Sequence, residues 1–518
     1  MPLQPSSLDP LTPILVGVGV AQHNAGQLEA PGSSDFSDTP TAIDLMEQAL
    51  RNALSDTGVT SASAANPWLS RISTVAVTEG DWAYGDPGGE LARRLGIKAA
   101  RSIRVDVGVP QHTPIAAALR GIRNGTVQAA VVSGGEAKAT QMAMRRAGLD
   151  PWGTVESEPD LAAAVPDERW KPQGEIMAQA EIDVGMWSAV EHYACIEATL
   201  RHAEGQGIDD HLDDIAELWH GFNQVAVDNP RAAFPEPRSI EFLRQAGVGN
   251  RPLAYPYAKW HSTQWAVDQA AALLLCSAEV AEELGVPKDR WLFPRVALES
   301  SFSLSLTKRA NMHRWEAMGV LGAAAAEHLG RPLDEVEHVE LYSCFPSAVR
   351  VQQRELDLQG GPLPTITGGM AFAGGPFNNF TYQSTAAMAE RLRDDPGSLG
   401  MVTTVSGLLT KPALAVWSTD PGPPLVEDLA STAESATEQR EVARQSDGLD
   451  SDAVANATIA SLTVTYTGEE AASAFVIADL SDGRRWIGTS DDPDLLSEAQ
   501  RSELIGQKLH ITGSTCQL

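Results

Sequence analysis

The chain has 518 residues, 68 acidic against 38 basic side chains and a net charge of -30, so it is too long for one core and repels nucleic acid and anionic membranes. It has no apolar run of about 20 residues and no charged start leading into an apolar segment, so neither a membrane span nor a secretory signal is expected, and the expected location is the cytoplasm. Cys195, Cys276, Cys344 and Cys516 lie far apart without a CxxC pair, which predicts reduced thiols, no structural metal site and no disulfide framework.

In chain order, Ile14 to Val20 is a β-branched apolar run suited to a buried strand. Apolar residues from Ile43 to Leu54 recur at helical spacing, with Gly58 as the stop. Strand 72–78, helix 89–95, strand 102–107, helix 114–122 and strand 129–133 then alternate, which predicts a layered α/β sheet. Residues 138–250 read as a helical, loop-rich insertion without clear strands. The α/β pattern resumes at 266–286 and continues through a second half: helix 315–329, strand 338–342, helices 347–356 and 385–393, and strands 400–405 and 413–417.

Residues 421–452 have the Pro, Ser, Glu and Asp content of a linker. Beyond it, 458–466, 474–480, 485–488 and 508–512 read as short strands, with Asp482-Gly483 as a hairpin turn, and predict a small OB-like β-barrel. The domain reading is therefore 11–137 with 255–300 as one half, 138–254 as a loop domain, 301–420 as the second half, 421–455 as linker and 456–518 as the β domain.

Several local stretches, taken in order, resemble the thiolase superfamily. Ser133-Gly134-Gly135-Glu136 is similar to its Gly-Gly-x-Glu turn. His261 to Val286 is similar to the segment that completes its first half, and Glu340-Leu341-Tyr342-Ser343-Cys344-Phe345 stands where its members have His-Asp-Cys-Phe or Asn-Glu-Ala-Phe. Gly368 to Pro376 is similar to its Gly-Gly-x-x-x-x-Gly-His-Pro. Gly374-Gly375-Pro376-Phe377-Asn378-Asn379 resembles the signature of the actinobacterial thiolase-like proteins of type 1, labelled acetyl-CoA acetyltransferase. The resemblance implies two related βαβαβαββ halves, a five-layered αβαβα core and coenzyme A or acyl-CoA as ligand, with no other cofactor and no metal. It also implies an acyltransferase class tied to lipid or sterol metabolism, a monomer or homodimer, and a partner protein from lipid metabolism.

The chemistry of that family needs a thiolate, a base and an oxyanion cradle. In the windows matching the family, the nucleophile segment Val107 to His112 has no cysteine or serine, Gly375 stands for the catalytic histidine, and Val405 for the second cysteine. Loss of a nucleophile and base that act together costs on the order of a millionfold in comparable hydrolases, so ordinary thiolase turnover is not expected. Three residues remain as catalytic candidates: Cys344 and Tyr342 beside the implied acyl pocket, and His112 in the nucleophile window. Cys344 reads more readily as a small buried hydrophobe and His112 as a helix-start residue that caps or faces solvent; Asn311, His313 and His261 are weaker candidates. For the ligand, Gly374, Gly375 and Asn378 are expected to offer backbone donors, and Lys259 and Arg251 to meet phosphates. A carbon–carbon lyase without a covalent intermediate and a non-catalytic acyl-CoA carrier or scaffold stand as alternatives.

Overall fold

The computed structural model describes residues 8–23, 36, 39–59, 66–150, 162–443, 454 and 456–518. The first apolar run forms β1 (Pro13–His23). Next comes α1 (Ala42–Asp56), opened by a reciprocal capping box between Thr41 and Asp44. The helix lies so close to β1 that a Cβ on Gly17 or Gly19 would fall 2.2 or 2.0 Å from a carbonyl of α1. β2 (Ile72–Thr78), α2 (Pro87–Leu95), β3 (Arg101–Val105), α3 (Thr113–Arg123) and β4 (Ala129–Ala137) then alternate as expected.

The insertion holds α4 (Lys138–Arg146), β5 (Glu168–Trp170), α5 (Gln179–Asp183), α6 (Ala189–Glu204), α7 (Ile208–Asp228), α8 (Ile240–Arg244), β6 (Pro252–Ala254) and β7 (Tyr257–Ala258). It is not strand-free: β5 pairs in parallel with β3 and lengthens the first sheet. Two or three residues are too few for a period-2 pattern to stand out, which is why the sequence reads as loop there. The first half closes with β8 (Asp268–Ser277) and α9 (Ala278–Glu283). Every residue of β8 is buried, as its unbroken apolar run implies.

The second half is β9 (Phe293–Glu299), α10 (Glu316–Leu329), β10 (His338–Glu340), α11 (Pro346–Glu355), α12 (Gly369–Phe372), α13 (Phe380–Asp394), β11 (Leu399–Ser406) and β12 (Lys411–Ser418). Its pairing repeats the first. β1 is antiparallel to β8, β8 to β4, and β4 is parallel to β2. In the same way β9 is antiparallel to β12, β12 to β11, and β11 is parallel to β10. The halves differ in two ways: the insertion joins β4 to β8 whereas a tight turn joins β11 to β12, and among the described residues no strand of the second half pairs beyond β10 as β3 does beyond β2, so the expected βαβαβαββ order is complete only in the first half.

One apolar cluster contains Ile115 and Leu119 of α3, Ala386 and Leu392 of α13, and residues of β1, β8, β11 and β12, so these two helices form a layer between the sheets. α1 and α2 pack with the outer face of the first sheet, α10 and α11 with that of the second. The result is the expected α/β core of five layers.

The segment read as a linker contributes β13 (Leu425–Asp428), parallel to β9, and α14 (Ala430–Ala436). The part of that linker at 444–453 lies outside the described residues. The remainder is β14 (Thr458–Thr467), β15 (Glu470–Asp479), β16 (Arg485–Ser490), α15 (Pro493–Glu498), β17 (His510–Thr512) and β18 (Thr515–Gln517). The strand order β17-β18-β16-β15-β14-β6-β7 is an open sheet that continues into the insertion, in place of the expected closed OB-like barrel. The reason lies in the β14 edge, which pairs with β6 through Thr465 and Ala254. Ser461 also donates its hydroxyl to the Cys195 carbonyl of α6, 2.8 Å away.

Candidate functional site at the junction of the central helices

The two central helices begin facing each other, and Gln111 joins them. Its Oε1 accepts the backbone N–H of Thr381 in the first turn of α13 at 2.9 Å, and its Nε2 donates to the Tyr342 hydroxyl at 3.4 Å. Gln111 is 3 % exposed. At this position the segment from Val107 to His112 thus presents a neutral carboxamide with both ends engaged, a group that is neither nucleophile nor base at ordinary pH.

Tyr342 is fixed by its backbone as well as its hydroxyl. Its N–H donates to Thr403 Oγ1 at 2.9 Å, and its carbonyl accepts from Gln352 Nε2 at 2.9 Å. The ring meets Phe380 edge-on at 5.8 Å. Burial pushes the phenol above its ordinary value, so it stays protonated and acts as a hydrogen-bonding group.

His112, expected either as proton carrier or as a solvent-facing helix start, is neither capping nor exposed. It makes no side-chain cap bond, is 1 % exposed, and its Nε2 has no partner. Burial, reinforced by the positive Arg120, lowers its pKa to about 3, so the ring is neutral. A base that weak does not deprotonate a substrate near neutral pH.

Cys344 follows β10 and is buried. Burial pushes its thiol up to about 12, against the opposing hydrogen bond from Tyr193. The reactive form of a cysteine is the thiolate, and here it is suppressed. Tyr193 also stacks on Phe345 at 4.6 Å. The Cys344 carbonyl accepts the Thr263 N–H at 3.0 Å, which ties the loop before β8 to the second half.

The glycine turn is built for packing more than for donation. Gly374 has φ +100, open to glycine but strained for other residues. The Gly375 N–H, expected to be a free donor, is spent on the Gln264 carbonyl at 3.1 Å, and a Cβ there would lie 2.2 Å from Thr263 Cγ2. Asn378 donates its side-chain amide to the Glu79 carbonyl at 3.1 Å. At the third family position, Val405 is buried, while the next residue, Ser406, donates to the Gly108 carbonyl at 2.9 Å.

Lys259 and Arg251 do lie together, on the β6–β7 hairpin, where the Lys259 N–H donates to the Arg251 carbonyl. A third cation, Arg238, stacks its guanidinium 3.4 Å from the centre of the Trp260 ring, with Lys259 Nζ at 4.9 Å from the same ring. Burial lowers the Lys259 pKa, and Arg238 and Arg251 lower it further, so the three make a local positive patch in an acidic protein. Gln264 links this patch to the glycine turn: its Nε2 donates to the Lys259 carbonyl at 2.8 Å and its carbonyl takes the Gly375 N–H. Arg238 was not singled out from the sequence, because its loop has no periodicity and its aromatic partner follows 22 positions later in the chain.

Among the described residues no group of three His, Cys, Asp or Glu side chains is placed to hold a metal ion, and no helix is long and apolar enough to cross a membrane.

The chain matches no model of a known protein family and no curated protein. Among solved structures it is similar to a monomeric SCP2-thiolase-like protein type 1 from Mycobacterium smegmatis, with a TM-score of 0.79 and 25% identity over 98% of this chain and 99% of that one. It is also similar in fold to an acetyl-CoA acetyltransferase from Syntrophomonas wolfei (TM-score 0.54, 15% identity, 79% of this chain and 99% of that chain). The human mitochondrial 3-ketoacyl-CoA thiolase, solved in complex with CoA, gives a TM-score of 0.53 at 15% identity over 79% of this chain and 99% of that chain.

Proposed function

We propose that this chain, which belongs to the thiolase superfamily, binds an acyl-CoA thioester without carrying out ordinary thiolase turnover. The observation that carries the reading is Gln111, which fills the nucleophile segment with a carboxamide held by Thr381 and Tyr342. Covalent acyl transfer requires a nucleophile and a base within reach of each other. Gln111, neutral His112, protonated Cys344 and Gly375 supply no such pair. For the ligand, the patch of Lys259, Arg251 and Arg238 offers the positive charge that a CoA phosphate needs against a net charge of -30.

On this reading the protein is an acyl-CoA carrier or scaffold of lipid or sterol metabolism in the cytoplasm, needs no further cofactor, and uses its C-terminal β domain as a docking or dimer-blocking module. The test is paired. Acetoacetyl-CoA thiolysis is measured beside a working thiolase, and CoA and acetyl-CoA binding is measured by calorimetry. Binding without thiolysis supports the carrier, and cleavage of a carbon–carbon bond without a covalent adduct supports the lyase instead. A thiolysis rate within about a hundredfold of the control rejects the reading, since that rate needs the missing pair.

A further inference from the structure

A cavity borders the start of α3, and Gln111 does not line it. The cavity measures about 240 Å³ and is walled by Val109, Pro110, Trp170 and Pro172. Its charged groups come from the ends of three neighbouring strands. Glu299 of β9 pairs with Ala413 of β12 on one side and with Asp428 of β13 on the other. Lys411 lies two residues from Ala413, so it projects to the same face of the sheet. Lys411, Glu299 and Asp428 therefore line a single cavity, together with Lys171.

Lys411 is 2 % exposed, and its Nζ donates to the Gln173 carbonyl at 3.0 Å. Burial alone lowers its pKa. Glu299 accepts the Thr113 hydroxyl at 2.7 Å, with Arg120 at 3.8 Å. Burial raises its pKa, Thr113 and Arg120 lower it, and facing Asp428 raises it again. Asp428 is held by the N–H groups of Ser301 and Ala430, and Lys171 stands exposed at the rim. A desolvated lysine amine lining the same cavity as a carboxyl group whose pKa burial raises is an arrangement suited to forming Schiff bases.

We propose that Lys411 is an amine nucleophile that captures small aldehydes or ketones as imines in this cavity. The neutral Nζ attacks the carbonyl carbon, a C–N bond forms, and the carbonyl π pair moves to oxygen, which takes up a proton as nitrogen gives one up. The carbinolamine then loses its hydroxyl as water with a proton from the Glu299 carboxyl, the C=N bond forms, and the nitrogen returns its remaining proton to the Glu299 carboxylate. Amine and carbonyl compound give imine and water, with no oxidant or reductant. The proposal is independent of CoA binding.

The test uses the full chain, propanal and sodium cyanoborohydride at pH 7, followed by peptide mapping of the alkylated lysines. Exposed Lys288, which pairs with Glu282 at the surface, serves as the internal reference. The expected result is alkylation of Lys411 at least tenfold faster than of Lys288, with the Lys411 label absent in K411R and the Lys288 label unchanged. Labelling of Lys411 no faster than Lys288, or none at all, overturns the proposal, and because this comparison is made within the wild-type protein it does not depend on the variant folding.

Discussion

The Gln111 side chain accepts the Thr381 backbone N–H at 2.9 Å, so the residue before one central helix closes the start of the other. The N–H groups of a helix start lack partners within the helix, and this contact satisfies one of them from 270 positions away in sequence. Replacing Gln111 by Leu should therefore cost about 1–2 kcal/mol, the usual range for leaving a buried donor without its partner. Gln111→Glu keeps the acceptor and adds negative charge at a helix N-terminus, which is favourable, so it should recover part of that loss. Urea unfolding of the three proteins measures it, and equal losses in both variants would show that the contact does not cap α13.

Adding the thiol back should not restore activity. Gln111→Cys supplies the nucleophile side chain, but the base position is still Gly375 and His112 is still buried and neutral. Acetoacetyl-CoA thiolysis by this variant is expected to remain at background. Measurable turnover would mean that a base is within reach of position 111 after all.

Cysteine reactivity offers a direct check on Cys344. All four cysteines are free and buried, and the Cys344 thiol is pushed up to about 12. At pH 8 the native protein should show no fast-reacting thiol toward a disulfide reagent, and four after denaturation. One thiol reacting within seconds, mapped to Cys344, would return that residue to the list of nucleophiles.

The architecture was legible where apolar runs are long. The runs at Ile14 to Val20 and Val267 to Leu275 give β1 and β8, and helical periodicity gives α1. What the sequence did not reveal depends on distant partners. The sheet that joins the C-terminal strands to the insertion rests on the pairing of Thr465 with Ala254, and no local pattern records such a contact. The same holds for the site. The absence of nucleophile and base was visible residue by residue, but the use of the Gly375 N–H by Gln264, the role of Gln111 and the burial of His112 all follow from tertiary packing.

Glu340 gives a pH signature. It is fully buried, and its carboxyl accepts from the N–H groups of Ile366 and Thr367 and from the hydroxyls of Thr365 and Thr367. Burial outweighs these bonds and raises its pKa from 4.5 to about 7. The folded protein therefore holds a proton that the unfolded chain has released between pH 4.5 and 7. The associated stability is full below pH 4.5 and falls as pH rises through 7, by about 3 kcal/mol at 1.36 kcal/mol per pKa unit. Glu340→Gln mimics the protonated form, so its stability relative to wild type should rise between pH 5 and 8. A constant difference across that range would show that Glu340 titrates at its ordinary value.

The contact between Gly375 and Thr263 separates packing from ligand binding at the glycine turn. A Cβ at position 375 would lie 2.2 Å from Thr263 Cγ2, with Met370 Cβ and Cε each at 3.2 Å. Gly375→Ala should therefore destabilise the protein by about 1–3 kcal/mol, the usual range for overpacking a filled core. Thr263→Ser removes the clashing methyl and keeps the hydroxyl that donates to the Cys344 carbonyl at 3.3 Å. In the double variant most of the loss should be recovered, giving a favourable coupling of at least about 1 kcal/mol in a double-mutant cycle. CoA affinity is measured on the same four proteins. Additive losses in stability would show that the strain at Gly375 comes from the backbone and not from Thr263, while a fall in affinity that persists in the stable double variant would mean that the turn itself contacts the ligand.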